Sequence, residues 1–286
     1  MLSLLVAQPG HCLFSKAAGY ELIGLRSGRT IRLFYAKPEK MSADTQVLFV
    51  CHGVKRNPQK YLEVWQKYQK DLNVILVAPE FSKKEFPKGR DYNQGNLVAA
   101  DGSLNPAKQW SLSAIDEAFL ILKMCLGLTS NEYLIYGHSA GAQFVHRLAI
   151  FLPETSAGVL VAANPGSLTF LGSPASYPYG LPAGIDEEQI KKALRRKLIL
   201  LAGLEDIDPD HKHLNNSSSA KKQGANRLER GRNFFEDARK IAQKLNAEFN
   251  WQRIEVPGVA HSNKGMASAA AEIFLNFMRQ KKALKY

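Results

Sequence analysis

The chain is 286 residues long and 45% hydrophobic, enough to bury a sizeable core, which excludes a disordered or low-complexity chain. Its 38 Lys and Arg outnumber 26 Asp and Glu for a formal charge of +12, but the basic clusters are scattered and none alternates with aromatic residues. A solvated basic surface is therefore the expectation, with no specific nucleic-acid partner.

From the N-terminus, residues 1–7 are apolar, yet they lack a basic flank and Gln8-Pro9-Gly10-His11 cuts the run short, so it does not read as a secretory signal. No later stretch reaches the length of a transmembrane span. Cys12, Cys51 and Cys125 form no C-x-x-C pair. The last two lie in apolar segments and are expected to be buried, and a reducing, cytoplasmic location is expected. Residues 20–25 and 30–35, joined by Arg26-Ser27-Gly28-Arg29, predict a β-hairpin. Val47-Leu48-Phe49-Val50-Cys51 is a continuous apolar run, the pattern of a strand buried on both faces, and it ends in His52-Gly53. After Pro58, Tyr61, Leu62, Val64, Trp65 and Tyr68 fall at helical spacing, and residues 74–78 form another buried-type strand. Strand, helix and strand at this rhythm predict a parallel sheet.

Between 80 and 109 the periodicity fades among prolines and glycines, with Phe81, Phe86 and Tyr92 interspersed. A helix resumes with Ile115, Phe119, Leu122 and Leu126, and then Tyr133-Leu134-Ile135-Tyr136 runs into Gly137-His138-Ser139-Ala140-Gly141. A helical stripe follows through Phe144, Val145, Leu148 and Leu152. Residues 159–163 predict a strand, 164–184 a second irregular stretch carrying Phe170, Tyr177 and Tyr179, 187–194 a helix, and 198–202 a strand. Beyond a very polar stretch, Phe234, Ala238, Ile241, Ala242 and Leu245 mark a long amphipathic helix. Residues 251–256 predict the last strand, and Met266, Ala270, Ile273, Phe274 and Phe277 the closing helix. No linker separates two cores, so residues 1–286 read as one α/β domain.

The G-x-S-x-G stretch is where chemistry concentrates. A serine hydroxyl becomes a useful nucleophile only when held exposed beside a base, and a sharp strand-to-helix turn achieves this for Ser139. Glycines two before and two after it let strand and helix approach, and the Ala140 N–H points where an oxyanion would form. In open parallel sheets the site lies beyond the carboxyl ends of the strands, and two positions there supply partners. Asp206, three residues past Gly203, is the expected acid, with Asp208 its rival. Asp206, Asp208 and Asp210 also alternate as in a Ca²⁺ loop, but His211 stands where that loop needs glycine. His261, on the turn after the last strand, is the expected base. His211 and His213 lack a third ligand for a metal. Arg227, Arg230 and Arg232 would serve an anionic substrate if they faced the site; the expectation is a solvated helix face.

The order Ser139, Asp206, His261 is that of the α/β-hydrolases, and the chain resembles that family from the first hairpin to the final helix. Residues 137–141 carry most of the resemblance, supported by 203–206 and 258–261. Through Tyr177-Pro178-Tyr179-Gly180 and residues 224–235 it is similar, less specifically, to bacterial esterases and polyester-depolymerase-like members. The resemblance implies an α/β-hydrolase fold: a mostly parallel central sheet with helices on both faces, an N-terminal antiparallel hairpin and a short cap. It implies a serine hydrolase cleaving a small-molecule carboxylic ester through an acyl-enzyme on a Ser139–His261–Asp206 triad, with no metal or organic cofactor. It also implies an oxyanion hole from the N–H groups of Ala140 and of Val54 or Lys55, although His52-Gly53-Val54-Lys55 departs from the lipase H-G-G-G pattern after its first glycine. A triad does not choose its leaving group, so thioesterase, peptidase and acyltransferase share the chemistry. The contrasting reading is a non-catalytic scaffold that binds polyanions through its basic surface. Residues 80–109 and 164–184 are expected to wall the pocket, their aromatics either lining an apolar acyl site or packing into the core.

Overall fold

In a computed structural model, which describes residues 13–283, the first two β-rich runs pair antiparallel as β1 (Ala18–Gly24) and β2 (Thr30–Ala36). The apolar N-terminal run, His11 and Cys12 lie outside the described residues. Gly28 closes the hairpin at φ +81°, a conformation glycine adopts at no steric cost. β2 then pairs antiparallel with β4 (Ile75–Glu80), beyond which the sheet is parallel. Its other members are β3 (Val47–Cys51), β5 (Tyr133–His138), β6 (Ala157–Ala163), β7 (Leu198–Gly203) and β8 (Gln252–Val256). The spatial order is β1-β2-β4-β3-β5-β6-β7-β8, as the expected fold class requires. The chain steps from β3 out to β4 and returns to lay β5 on the other side of β3. That reversal makes the β3/β5 boundary the crevice where open parallel sheets bind ligands.

Strand periodicity sends alternate side chains into two core layers. In β3, Val47, Phe49 and Cys51 enter one layer and Leu48 and Val50 the other. The helices α1 (Pro58–Leu72) and α7 (Asn263–Ala283) cover one face, where Trp65 lies 4.8 Å from the ring of Tyr136 and 5.9 Å from that of Phe274. The opposite face is covered by α2 (Ser113–Leu126), α3 (Ala140–Phe151), α4 (Glu187–Leu194) and, after the short α5 (Ser218–Lys221), α6 (Arg227–Lys244). Cys51 is buried, and burial pushes its thiol pKa well up, so it behaves as a small hydrophobe. Cys125 departs from expectation and is exposed. α2 is apolar nearly all round, and its inward face is taken by Ala114, Ile115, Ala118, Phe119 and Leu122. Among the described residues no helix is long and apolar enough to cross a membrane.

The two irregular stretches are fastened rather than loose. In the first, Phe81, Phe86 and Tyr92 are fully buried and stack on one another and on Phe144 of α3, so these rings pack the core instead of facing an acyl group. Both stretches meet Arg147 of α3, which has no exposed surface. Its Nε donates to Thr169 Oγ1 (3.1 Å), Nη1 to the carbonyls of Asn93 (2.8 Å) and Gln143 (3.1 Å), and Nη2 to that of Pro178 (3.2 Å). One guanidinium therefore ties both stretches to the helix that begins beside Ser139.

Candidate active site

Ser139 joins β5 to α3 at φ +58° and ψ −114°, a backbone conformation that a residue with a Cβ adopts only under constraint. The flanking glycines supply the constraint. A side chain on Gly137 would collide with the backbone of Gly141, and one on Gly141 with the Cys51 carbonyl, so β3, β5 and α3 close together only because both lack one. The Ser139 N–H is tied to the Ala163 carbonyl at 3.0 Å, and its own carbonyl accepts from Gln143 N–H at 3.1 Å.

The partners arrive from the next strand ends. Gly203 ends β7 so close to the turn after β8 that a Cβ there would strike the Val259 carbonyl. The two loops are stitched by Leu204 N–H to Val256 O (3.0 Å) and Glu205 N–H to Val259 O (3.1 Å). Asn164, just past β6 at φ +50°, adds its side chain: Oδ1 accepts from Gly203 N–H (2.8 Å), and Nδ2 donates to Ala260 O (3.1 Å). Through this framework His261 Nδ1 comes 2.8 Å from Asp206 Oδ2, and His261 Nε2 comes 3.1 Å from Ser139 Oγ. Asp206 is 2% exposed and Ser139 7%. With the Nδ1 proton directed to the carboxylate, Nε2 is the acceptor for the serine hydroxyl. Asp208 stands apart: it is exposed and accepts from Asp210 N–H at 2.9 Å. Among the described residues no group of three or more His, Cys, Asp and Glu converges to hold a metal ion.

Next to the elbow, Gly53 lies against the serine, since a Cβ on it would be 3.8 Å from Ser139 Cβ and 2.8 Å from Tyr61 Oη. Val54 and Lys55 follow at once. This loop is anchored from below: Tyr92 Oη donates to the His52 carbonyl (2.7 Å), and His52 Nε2 accepts from Phe81 N–H (3.1 Å). Burial drives the His52 imidazole pKa down to about 3, so the ring is a neutral strut.

Two further histidines crowd His261. The His138 ring lies 4.6 Å from it and that of His211 5.0 Å, centroid to centroid. Burial, reinforced by His261 and Arg227, holds the His138 pKa well below the usual histidine range. The His211 pKa is lowered too, by burial and then by Arg227 and His261. The His213 pKa is lowered as well, by burial and then by Lys212 and Lys55, so two exposed lysines stand at the mouth of the site.

The solvated arginine face expected of α6 is not what the structure contains. Arg227 is 2% exposed and Arg230 fully buried, while Arg232 alone is partly exposed and pairs with Glu255 (2.7 and 2.8 Å). Arg227 and Arg230 sit seven and four residues before Phe234, on the face that faces the core, so the stripe that buries Phe234 buries them as well. Arg230 Nη1 donates to Gly166 O (2.6 Å). Arg227 Nη1 donates to Asp206 Oδ1 (3.1 Å), and its Nη2 lies 3.1 Å from His211 Nδ1. Extending the apolar stripe two turns toward the N-terminus puts both arginines on the core-facing side, against what their charge suggests. Asn164 was findable too, as the polar residue directly after a strand end.

Neither a family model nor a curated protein matches the chain. Among solved structures, poly(aspartic acid) hydrolase-1 from Sphingomonas sp. KT-1 is 37% identical, with a TM-score of 0.87 over 90% of this chain and 98% of that one. A poly(3-hydroxybutyrate) depolymerase from Bordetella parapertussis is 29% identical, with a TM-score of 0.85 over 91% of this chain and 90% of that one. A siderophore hydrolase from Aspergillus nidulans, 14% identical with a TM-score of 0.56 over 95% of both chains, shares the fold. With more than a third of its residues identical to the first of these along nearly the full length of both, the chain belongs to the α/β-hydrolase family, beside its esterase- and depolymerase-like hydrolases.

Proposed function

We propose that the chain acts as one domain and is a serine hydrolase that cleaves a carboxylic ester through an acyl-enzyme intermediate. The observation that carries this reading is the unbroken hydrogen-bonded series from Ser139 Oγ through His261 to Asp206, set at a strained strand-to-helix turn. One continuous sheet from β1 to β8 supports the single domain.

In the first half-reaction Ser139 Oγ attacks the acyl carbon while His261 Nε2 takes the hydroxyl proton. The tetrahedral oxyanion is received by the N–H of Ala140, which opens α3, and by that of Val54 or Lys55 beside the elbow. The ester C–O bond then breaks, and the leaving alcohol carries away the proton held by His261. Water, giving its proton to the same nitrogen, attacks the acyl-enzyme and releases the acid with Ser139 restored. Asp206 holds the ring's tautomer and balances the imidazolium at each half-reaction.

A second reading concerns the substrate. The 37% identical neighbour is a hydrolase of poly(aspartic acid), whose repeat bears a carboxylate and whose links are amides. Lys55 and Lys212 at the mouth favour such an anionic acyl chain here, on the same proposed serine chemistry.

Labelling by a fluorophosphonate probe tests the serine. Labelling of the natural protein, lost in Ser139→Ala and slowed by about 100-fold or more in His261→Ala, is the expected result. A folded natural protein that takes no label would put the polyanion-binding scaffold in its place.

A further inference from the structure

We infer that Arg227 is a positioning residue for the proposed Ser139–His261–Asp206 series, held in place by His211. The inference rests on the serine-hydrolase reading and adds two members to it. The Asp206 carboxylate is divided between two donors, Oδ2 to the His261 ring at 2.8 Å and Oδ1 to Arg227 Nη1 at 3.1 Å. Both charged groups are shut away from water, at 2% exposure each, so neither oxygen has solvent as an alternative partner. A carboxylate held at both oxygens by groups on separate elements, the turn after β8 and the first turn of α6, cannot rotate out of line with His261. The guanidinium is itself held at its other end. A guanidinium offers only donors, so His211 Nδ1, 3.1 Å from Nη2, must be an acceptor and His211 a neutral ring.

The pair also sets the field at the base. A bare buried carboxylate would favour the imidazolium form of His261 and so remove the proton acceptor as pH falls. Paired with Arg227, the carboxylate presents far less net charge while keeping its hydrogen bond. The other groups facing His261 do not replace that cation. His138 on β5 is held neutral by burial, and His211 by its bond to Arg227. His213, Lys212 and Lys55 lie farther out on exposed loops, and Asp208 acts on Arg227 from the solvent side. A buried pair of this kind adds little stability over an apolar replacement, which leaves positioning as its contribution.

The test is the pH dependence of kcat/KM for p-nitrophenyl acetate. Arg227→Met is expected to lower kcat by about 10-fold or more, to change KM by less than about 3-fold, and to move the acid limb up by about one pH unit. Arg227→Lys keeps the charge but loses the planar fork that reaches Asp206 and His211 from separate nitrogens; its acid limb stays in place while kcat falls. At the partly exposed His211, Ala is expected to lower kcat several-fold, and Gln, whose amide oxygen still accepts from the guanidinium, to restore most of the loss. An acid limb unmoved in a folded Arg227→Met protein, or equal effects of Ala and Gln at position 211, overturns the inference. Should Arg227→Met fail to fold, the Lys variant and the His211 pair decide it. A natural protein that neither hydrolyses the ester nor takes fluorophosphonate overturns the serine-hydrolase reading itself; an active natural protein with unmoved limbs overturns only the role of Arg227.

Discussion

At Gly137 the elbow leaves no room for a methyl group, because the atom it would strike is the Gly141 carbonyl in the first turn of α3, which cannot shift without moving Ser139. Gly137→Ala is expected to cost about 2–4 kcal/mol and to abolish fluorophosphonate labelling even where the fold survives. Gly231, in α6, is the opposite case: nothing lies within 4 Å of where its Cβ would be, so Gly231→Ala is expected to stabilise by about 0.5–1 kcal/mol. Urea unfolding of the two variants should move in opposite directions, and a neutral Gly137→Ala would mean that the elbow is not closed as described. Residues of this kind were legible in the sequence where a special backbone was needed. The G-x-S-x-G spacing and the positions after strand ends brought Ser139, Asp206 and His261 into view together. Arg227 was not legible, because its charge argued for solvent while its helical position argued for the core. Only the location of the Asp206 carboxylate, 21 residues earlier in the chain, resolves that conflict.

Among the elements, the parallel strands were the plainest in the sequence, since burial on both faces writes an unbroken apolar run such as that of β3. The stretches 80–109 and 164–184 were opaque for an equally physical reason. They are held by side chains reaching backbone carbonyls, and a carbonyl has no residue identity to leave in a sequence pattern. Arg147 is the clearest example, with Asn93 and Pro178 each contributing only a main-chain oxygen. Replacing it by Met strips partners from those buried carbonyls and from Thr169 Oγ1, at an expected cost of about 2–4 kcal/mol after the relief of desolvating a cation. The signature is local. Limited proteolysis of Arg147→Met should cut within 88–110 and 164–184 well before the sheet strands, whereas cleavage spread evenly along the chain would mean that the guanidinium stabilises the core as a whole.

Across the whole molecule, burial of histidine couples stability to pH more strongly than any ion pair on the surface. His52, His138 and His146 are fully or almost fully buried, and burial lowers the pKa of each, to about 3 for His52 and well below the usual range for the others. The hydrogen bonds agree, since His52 Nε2 and His146 Nε2 accept from the Phe81 and Thr169 N–H groups and have no room for a proton there. In the unfolded chain all three take up protons below about pH 6.5, so the unfolded state binds more protons and stability falls as pH falls through that value. The loss continues down to the folded-state values, far below the working range. Asp116, Glu117 and Asp237, raised chiefly by burial, act in the opposite sense, because protonating them relieves the folded state, but this enters only as pH nears the carboxylate range. The formal charge of +12 grows on acidification and adds self-repulsion to the histidine loss. Urea unfolding is therefore expected to show about 4 kcal/mol less stability at pH 5.5 than at pH 7, a large share of a typical domain's total. A stability that stays flat across that interval would mean that the buried rings accept protons in place, and the neutral struts beneath the elbow would have to be redrawn.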